Sequence, residues 1–105
     1  MKKVLESLRN GLIVSCQAES GDPFNDPEKT VLFAKAAIMG GAVGIRSEGL
    51  EKIAQIKKQV TIPVIGLIKS QFDDGFVKIT GSFGDVESLL EAECDIISID
   101  RKSVV

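Results

Sequence analysis

The chain has 105 residues, 44% of them hydrophobic and 27% charged, which suits one folded domain with a modest core and argues against disorder. Its 13 basic and 15 acidic residues give a formal net charge of −2 with no basic tract, so neither nucleic acid nor an anionic membrane is expected as a partner. The absence of histidine excludes imidazole acid–base chemistry and a Ser-His triad within this chain.

In chain order, MKKVLESLRN (1–10) reads as a short helix laid across one end of the fold. MKKVLESLRNGLIV lacks the continuous apolar core of a signal peptide, and no apolar run is long enough to span a bilayer. The default expectation is therefore a cytoplasmic protein. GLIVSCQ (11–17) is the first of four short apolar runs without strict alternation, the others being GAVGIR (41–46), PVIGLIK (63–69) and CDIISID (94–100). Such runs suit parallel strands buried on both faces.

Helical patterns fill the gaps between them. Asp26 can cap a helix that has Pro27 in its first turn, with Val31, Ala34, Ala37 and Ile38 on one face and Gly40-Gly41 at its end. SEGLEKIAQIKKQV carries Leu50, Ile53, Ile56 and Val60 on a similar stripe. SFGDVESLLEAE starts with Ser82 and Asp85 at capping-box spacing and presents Val86, Leu89 and Leu90. Asp73-Asp74-Gly75 reads as a turn leading into an extra strand, FVKIT (76–80). The lysine pairs Lys2-Lys3 and Lys57-Lys58 read as solvated faces, and Cys16 and Cys94 as small buried hydrophobes. Gly44 and Gly66, inside strands, mark close backbone approach or small positions in a barrel layer.

The succession is a parallel β/α repeat, which can close as an open doubly wound sheet or as the first four units of a (β/α)8 barrel. In a barrel, chemistry sits at the carboxyl ends of the strands. The four runs end on Gln17, Arg46, Lys69 and Asp100, offering an amide, a guanidinium, an ammonium and a carboxylate to one ligand. Lys69 can serve as a structural, salt-bridged lysine or as a desolvated proton carrier. Arg46 can bind an oxyanion or carbonyl, or pair with Asp100. No GxGxxG, P-loop or metal-ligand spacing is present.

Taken in order, GLIVSCQA (11–18), GGAVGIR (40–46), PVIGLIK (63–69), the Asp-Asp turn before FVKIT and CDIISID resemble the amino-terminal half of the bacterial N-acetylmannosamine-6-phosphate 2-epimerases. The resemblance covers roughly residues 8–100. It implies a TIM barrel that interconverts N-acetylmannosamine 6-phosphate and N-acetylglucosamine 6-phosphate, in sialic acid catabolism, without metal or redox cofactor. It casts Lys69 as a proton carrier at C2 and Gln17 and Arg46 as substrate contacts, and it leaves Asp100 without a role.

The resemblance also implies parts that residues 1–105 do not contain, namely a partner carboxylate opposite the lysine and the phosphate-binding loops. The expectation is a truncated or frameshifted product ending in the motif-free RKSVV, an amino-terminal half-domain inactive by itself. It would need the carboxy-terminal half or a second copy to cover its sheet edges. Two other readings stand beside it: a non-catalytic, self-associating half-barrel, and a standalone flavodoxin-like binding module.

Overall fold

The computed structural model describes residues 2–18, 21–71 and 77–99. After a short helix α1 (Lys2–Leu8), strand β1 (Leu12–Ser15) leads through a loop to helix α2 (Pro27–Met39), strand β2 (Ala42–Glu48), helix α3 (Leu50–Gln59) and strand β3 (Val64–Leu67). A hairpin of β4 (Lys69–Gln71) and β5 (Val77–Ile79) follows, then helix α4 (Phe83–Glu91) and the two-residue strand β6 (Ile96–Ile97).

Local chemistry accounts for the helix ends. Asp26 Oδ1 accepts from the Lys29 N–H at 2.9 Å, and Pro27 opens α2. Gly40 caps the far end, and Gly41 takes the left-handed conformation (φ 104°) that turns the chain into β2. Ser82 Oγ accepts from the Asp85 N–H at 3.2 Å to start α4.

Strands β1, β2, β3 and β6 form one parallel sheet in that spatial order. The order decides between the two closures. A doubly wound sheet reverses its strand order at a switch point and carries helices on both faces, whereas here each strand simply follows its predecessor. All three longer helices cover the same face: Val31 and Ala34 of α2, Ile53 and Ile56 of α3 and Leu89 of α4 share one core with Cys16, Ile45 and Val64. This is barrel-type winding.

Gly66 lies on the helix-covered face, where a Cβ would come within 3.0 Å of both Cys94 Sγ and Ile53 Cδ1. Gly44 lies on the other face and lets Leu8 of α1 approach β2. Both are close-approach positions, and Gly66 belongs to the helix layer and not to the barrel interior.

Three expectations change. PVIGLIK is not one strand: β3 stops at Leu67, and Lys69 begins a strand of an antiparallel hairpin with β5. Thr80 causes the break. It is 3% exposed, its N–H donates to Ile68 O at 2.7 Å, and its hydroxyl donates to Ser98 O at 2.6 Å, pinning the hairpin beside β6. Lys57 is no solvated lysine, because its Nζ lies 2.9 Å from Asp95 Oδ2. Leu50 and Leu90 are exposed, so the apolar stripes of α3 and α4 extend beyond the core. The Asp73-Asp74-Gly75 turn and the RKSVV tail lie outside the described residues.

Candidate functional site

The face of the sheet turned away from α2, α3 and α4, which α1 reaches through Leu8 at Gly44, carries the polar residues. Side chains alternate along a strand, and the parallel register aligns Ser15 with Arg46 and Arg46 with Ile65, opposite in parity to the buried Ile45 and Val64. Glu48 has the parity of Arg46 within β2, and Gln17 lies two residues past Ser15 at the end of β1. The structure therefore puts Arg46 near the carboxyl end of β2 and Gln17 two residues past the end of β1, while Lys69, two residues past the end of the adjacent β3, opens β4 of the hairpin. Asp100 lies outside the described residues.

Backbone and side-chain bonds fix this rim. The Cys16 N–H donates to Arg46 O at 2.8 Å, and the buried Ser47 hydroxyl donates to Cys16 O at 3.0 Å, locking the end of β1 to β2. Gln17 Nε2 donates to Ser15 Oγ at 2.7 Å, which holds the amide over the strand end. Gln17 and Arg46 are half-buried and Lys69 is exposed. The expected desolvation of Lys69 is thus not supplied by the described residues. Arg46 forms no ion pair among the described residues.

Sequence reasoning missed three residues of the rim. Glu48, two residues after Arg46 on the same face, lies 3.8 Å from Lys52 Nζ, and Lys52 also donates to Asn25 Oδ1 at 2.5 Å in the loop before α2. The only sequence signal was a glutamate and a lysine four residues apart across the β2–α3 junction, which is no helical pair because Glu48 ends the strand. Neither cysteine joins this chemistry. Burial pushes the Cys16 thiol up to about 11 and raises that of Cys94 as well, and both thiols are free. Among the described residues no three His, Cys, Asp or Glu cluster to hold a metal, and no helix is long and apolar enough to cross a membrane.

A family model described as "Putative N-acetylmannosamine-6-phosphate epimerase" matches residues 30–104. The chain belongs to this epimerase family. Two curated relatives carry the name "Putative N-acetylmannosamine-6-phosphate 2-epimerase". The one from Caldanaerobacter subterraneus subsp. tengcongensis is 48% identical over 97 residues, covering 92% of this chain and 41% of the relative. The one from Clostridioides difficile is 43% identical over 102 residues, covering 97% of this chain and 46% of the relative. The solved N-acetylmannosamine-6-phosphate 2-epimerase from Clostridium perfringens superimposes with a TM-score of 0.87 at 38% identity, over 91% of this chain and 42% of that one. The chain thus spans less than half the length of these relatives, and its parallel sheet with alternating helices is the amino-terminal part of a TIM-barrel epimerase fold.

Proposed function

We propose that residues 1–105 supply the amino-terminal half of one epimerase domain that interconverts N-acetylmannosamine 6-phosphate and N-acetylglucosamine 6-phosphate. The observation that carries this reading is the position of Gln17, Arg46 and Lys69 at or just past the ends of three adjacent strands in a member of this family.

The chemistry follows from the substrate. In the open-chain sugar, C2 is α to the C1 carbonyl, so its proton can leave with the electron pair delocalised onto the carbonyl oxygen as an enolate. Return of a proton to the opposite face inverts the centre. Lys69 is the proton carrier on one face, and it takes a proton only as the neutral amine, a form favoured by desolvation and by a neighbouring cation. Arg46 supplies that cation and donates to the developing oxyanion. Gln17, oriented through Ser15, donates or accepts at a substrate hydroxyl or amide. Asp100 ends the fourth strand run and is assigned no step. The second proton carrier and the phosphate contacts come from outside these residues, so the partner is the carboxy-terminal half of the barrel or, failing that, a second copy. The setting is cytoplasmic.

Solvent-deuterium exchange at C2, followed by proton NMR of the sugar phosphate, tests this. The 105-residue chain by itself is expected to give no epimerisation above background. Residues 1–99 fused to the remaining part of the Clostridium perfringens enzyme are expected to exchange and invert C2, and Lys69→Ala in that fusion is expected to abolish both. Exchange that survives Lys69→Ala would remove the lysine from the mechanism.

A further inference from the structure

Arg46 and Glu48 lie two residues apart on the same side of β2. At about 3.3 Å per residue their Cα atoms are about 6.6 Å apart, within reach of a pair of long side chains of opposite charge. Yet Arg46 has no ion pair among the described residues, while Glu48 faces Lys52. Lys52 is well placed to hold it there. Its side chain is only 15% exposed, it sits in the first turn of α3 just after Glu48 ends β2, and it is steadied from behind by Asn25 Oδ1. Glu48 is itself 26% exposed. A partly desolvated carboxylate seeks a cation, and both Lys52 and Arg46 stand close to Glu48 along this strand end.

We propose that Lys52 acts as a charge clamp on Glu48, keeping that carboxylate off Arg46 so that the guanidinium is left for an anionic or enolate oxygen of the substrate. Lys52 is a positioning residue: it acts through Glu48 and touches no reacting atom. The benefit at the substrate rests on the epimerase reading. The clamp itself does not, and it has a readout that needs no catalysis.

The test is NMR of the 105-residue chain labelled with 15N-arginine, following the Arg46 Nε–Hε signal, which Arg46→Lys assigns by its disappearance. Lys52→Gln removes the charge and keeps an amide donor for Asn25. In it, the Arg46 signal is expected to shift and its exchange with water to slow, as Glu48 swings onto the guanidinium. Lys52→Arg and the double variant Glu48→Gln/Lys52→Gln are expected to restore the wild-type signal. A role of Lys52 in packing alone would not be reversed by Glu48→Gln. Should Lys52→Gln not fold, Lys52→Met is read in the same way, with thermal melts as the check. An Arg46 signal indifferent to Lys52→Gln, or one that stays shifted in the double variant, would overturn the clamp. In the catalytically complete fusion, Lys52→Gln is expected to raise KM roughly two- to five-fold with kcat little changed. An unchanged KM beside a shifted Arg46 signal would leave the clamp intact and count against the placement of Arg46 at the substrate.

Discussion

One sheet presents two unlike faces. Toward the helices, Cys16, Ile45, Ile53, Ile56, Val64 and Leu89 are fully buried in one core. On the opposite face the same strands show Ile13, Ser15, Arg46 and Glu48, with Lys69 beyond them, all exposed or half-buried. Ala42, Gly44 and Leu67 are buried and break that pattern, Gly44 beneath Leu8 of α1. The difference separates two tasks. The helix side carries the stability of these residues, and the open side carries the groups proposed to meet the substrate. In a barrel the open side is the interior, which is normally filled by layers of side chains from all eight strands.

The largest expected effect comes from damage to the helix side. Ile53→Ala would remove a fully buried side chain that touches the Gly66 position, and a loss of about 2–5 kcal/mol is expected in urea denaturation. A loss under about 1 kcal/mol would mean that the core does not pack as described. Asp95→Ala comes next. The Asp95 carboxylate accepts from the Val64 N–H at 2.8 Å and pairs with Lys57, while its own N–H donates to Val64 O at 2.9 Å. Removing it leaves a strand N–H and a lysine without their partner, at an expected cost of about 1–3 kcal/mol. Asp95→Asn, which keeps an acceptor for Val64, is expected to recover part of it.

Much of this was legible in the residues. The caps at Asp26 and Ser82 and the Gly40-Gly41 stop follow from local hydrogen bonding and glycine's tolerance of positive φ, which depend little on the rest of the fold. The four parallel strands were visible as non-alternating apolar runs. Strand order was not, since short-range periodicity is the same in a doubly wound sheet and in a barrel; the family motifs pointed to the barrel. The break after Leu67 was hidden because Thr80, which lies 12 residues beyond Ile68, takes that residue's backbone groups. Lys57 was read as solvent-facing because its partner, Asp95, is distant in sequence. Of the rim, the positions of Gln17 and Arg46 near strand ends could be read from the runs, whereas the place of Lys69 at the start of β4 and the Lys52–Asn25 contact depend on how the chain folds back.

A smaller effect concerns acid. The Lys29 backbone N–H that donates to Asp26 holds its carboxyl below the ordinary aspartate range. A depressed native value means that the unfolded chain binds the proton more readily. The contribution to stability is therefore present above the unfolded value near pH 4 and fades as pH falls through the native one. Asp26→Asn keeps a capping oxygen and removes the titration. Thermal melts between pH 7 and 2.5 are expected to show a shallower acid limb in this variant, and identical limbs would show that the cap does not respond to the charge.

The smallest effect is also the one that can undo the comparison. Ile13 lies on the open face with 41% of its surface exposed, so Ile13→Ala removes less buried area than Ile53→Ala. It leaves no enclosed cavity, and a cost of at most about 1 kcal/mol is expected. That holds only while nothing covers the open face. If the carboxy-terminal half or a second copy closes over it, Ile13 becomes part of a packed interior and the same substitution takes on a core-like cost. Measuring Ile13→Ala in the 105-residue chain over a hundred-fold range of protein concentration, and again in the fusion, separates these states. A small and concentration-independent cost in the short chain, rising in the fusion, is the expected pattern. A large cost in the short chain that grows with concentration would show that copies of the chain already bury this face against one another.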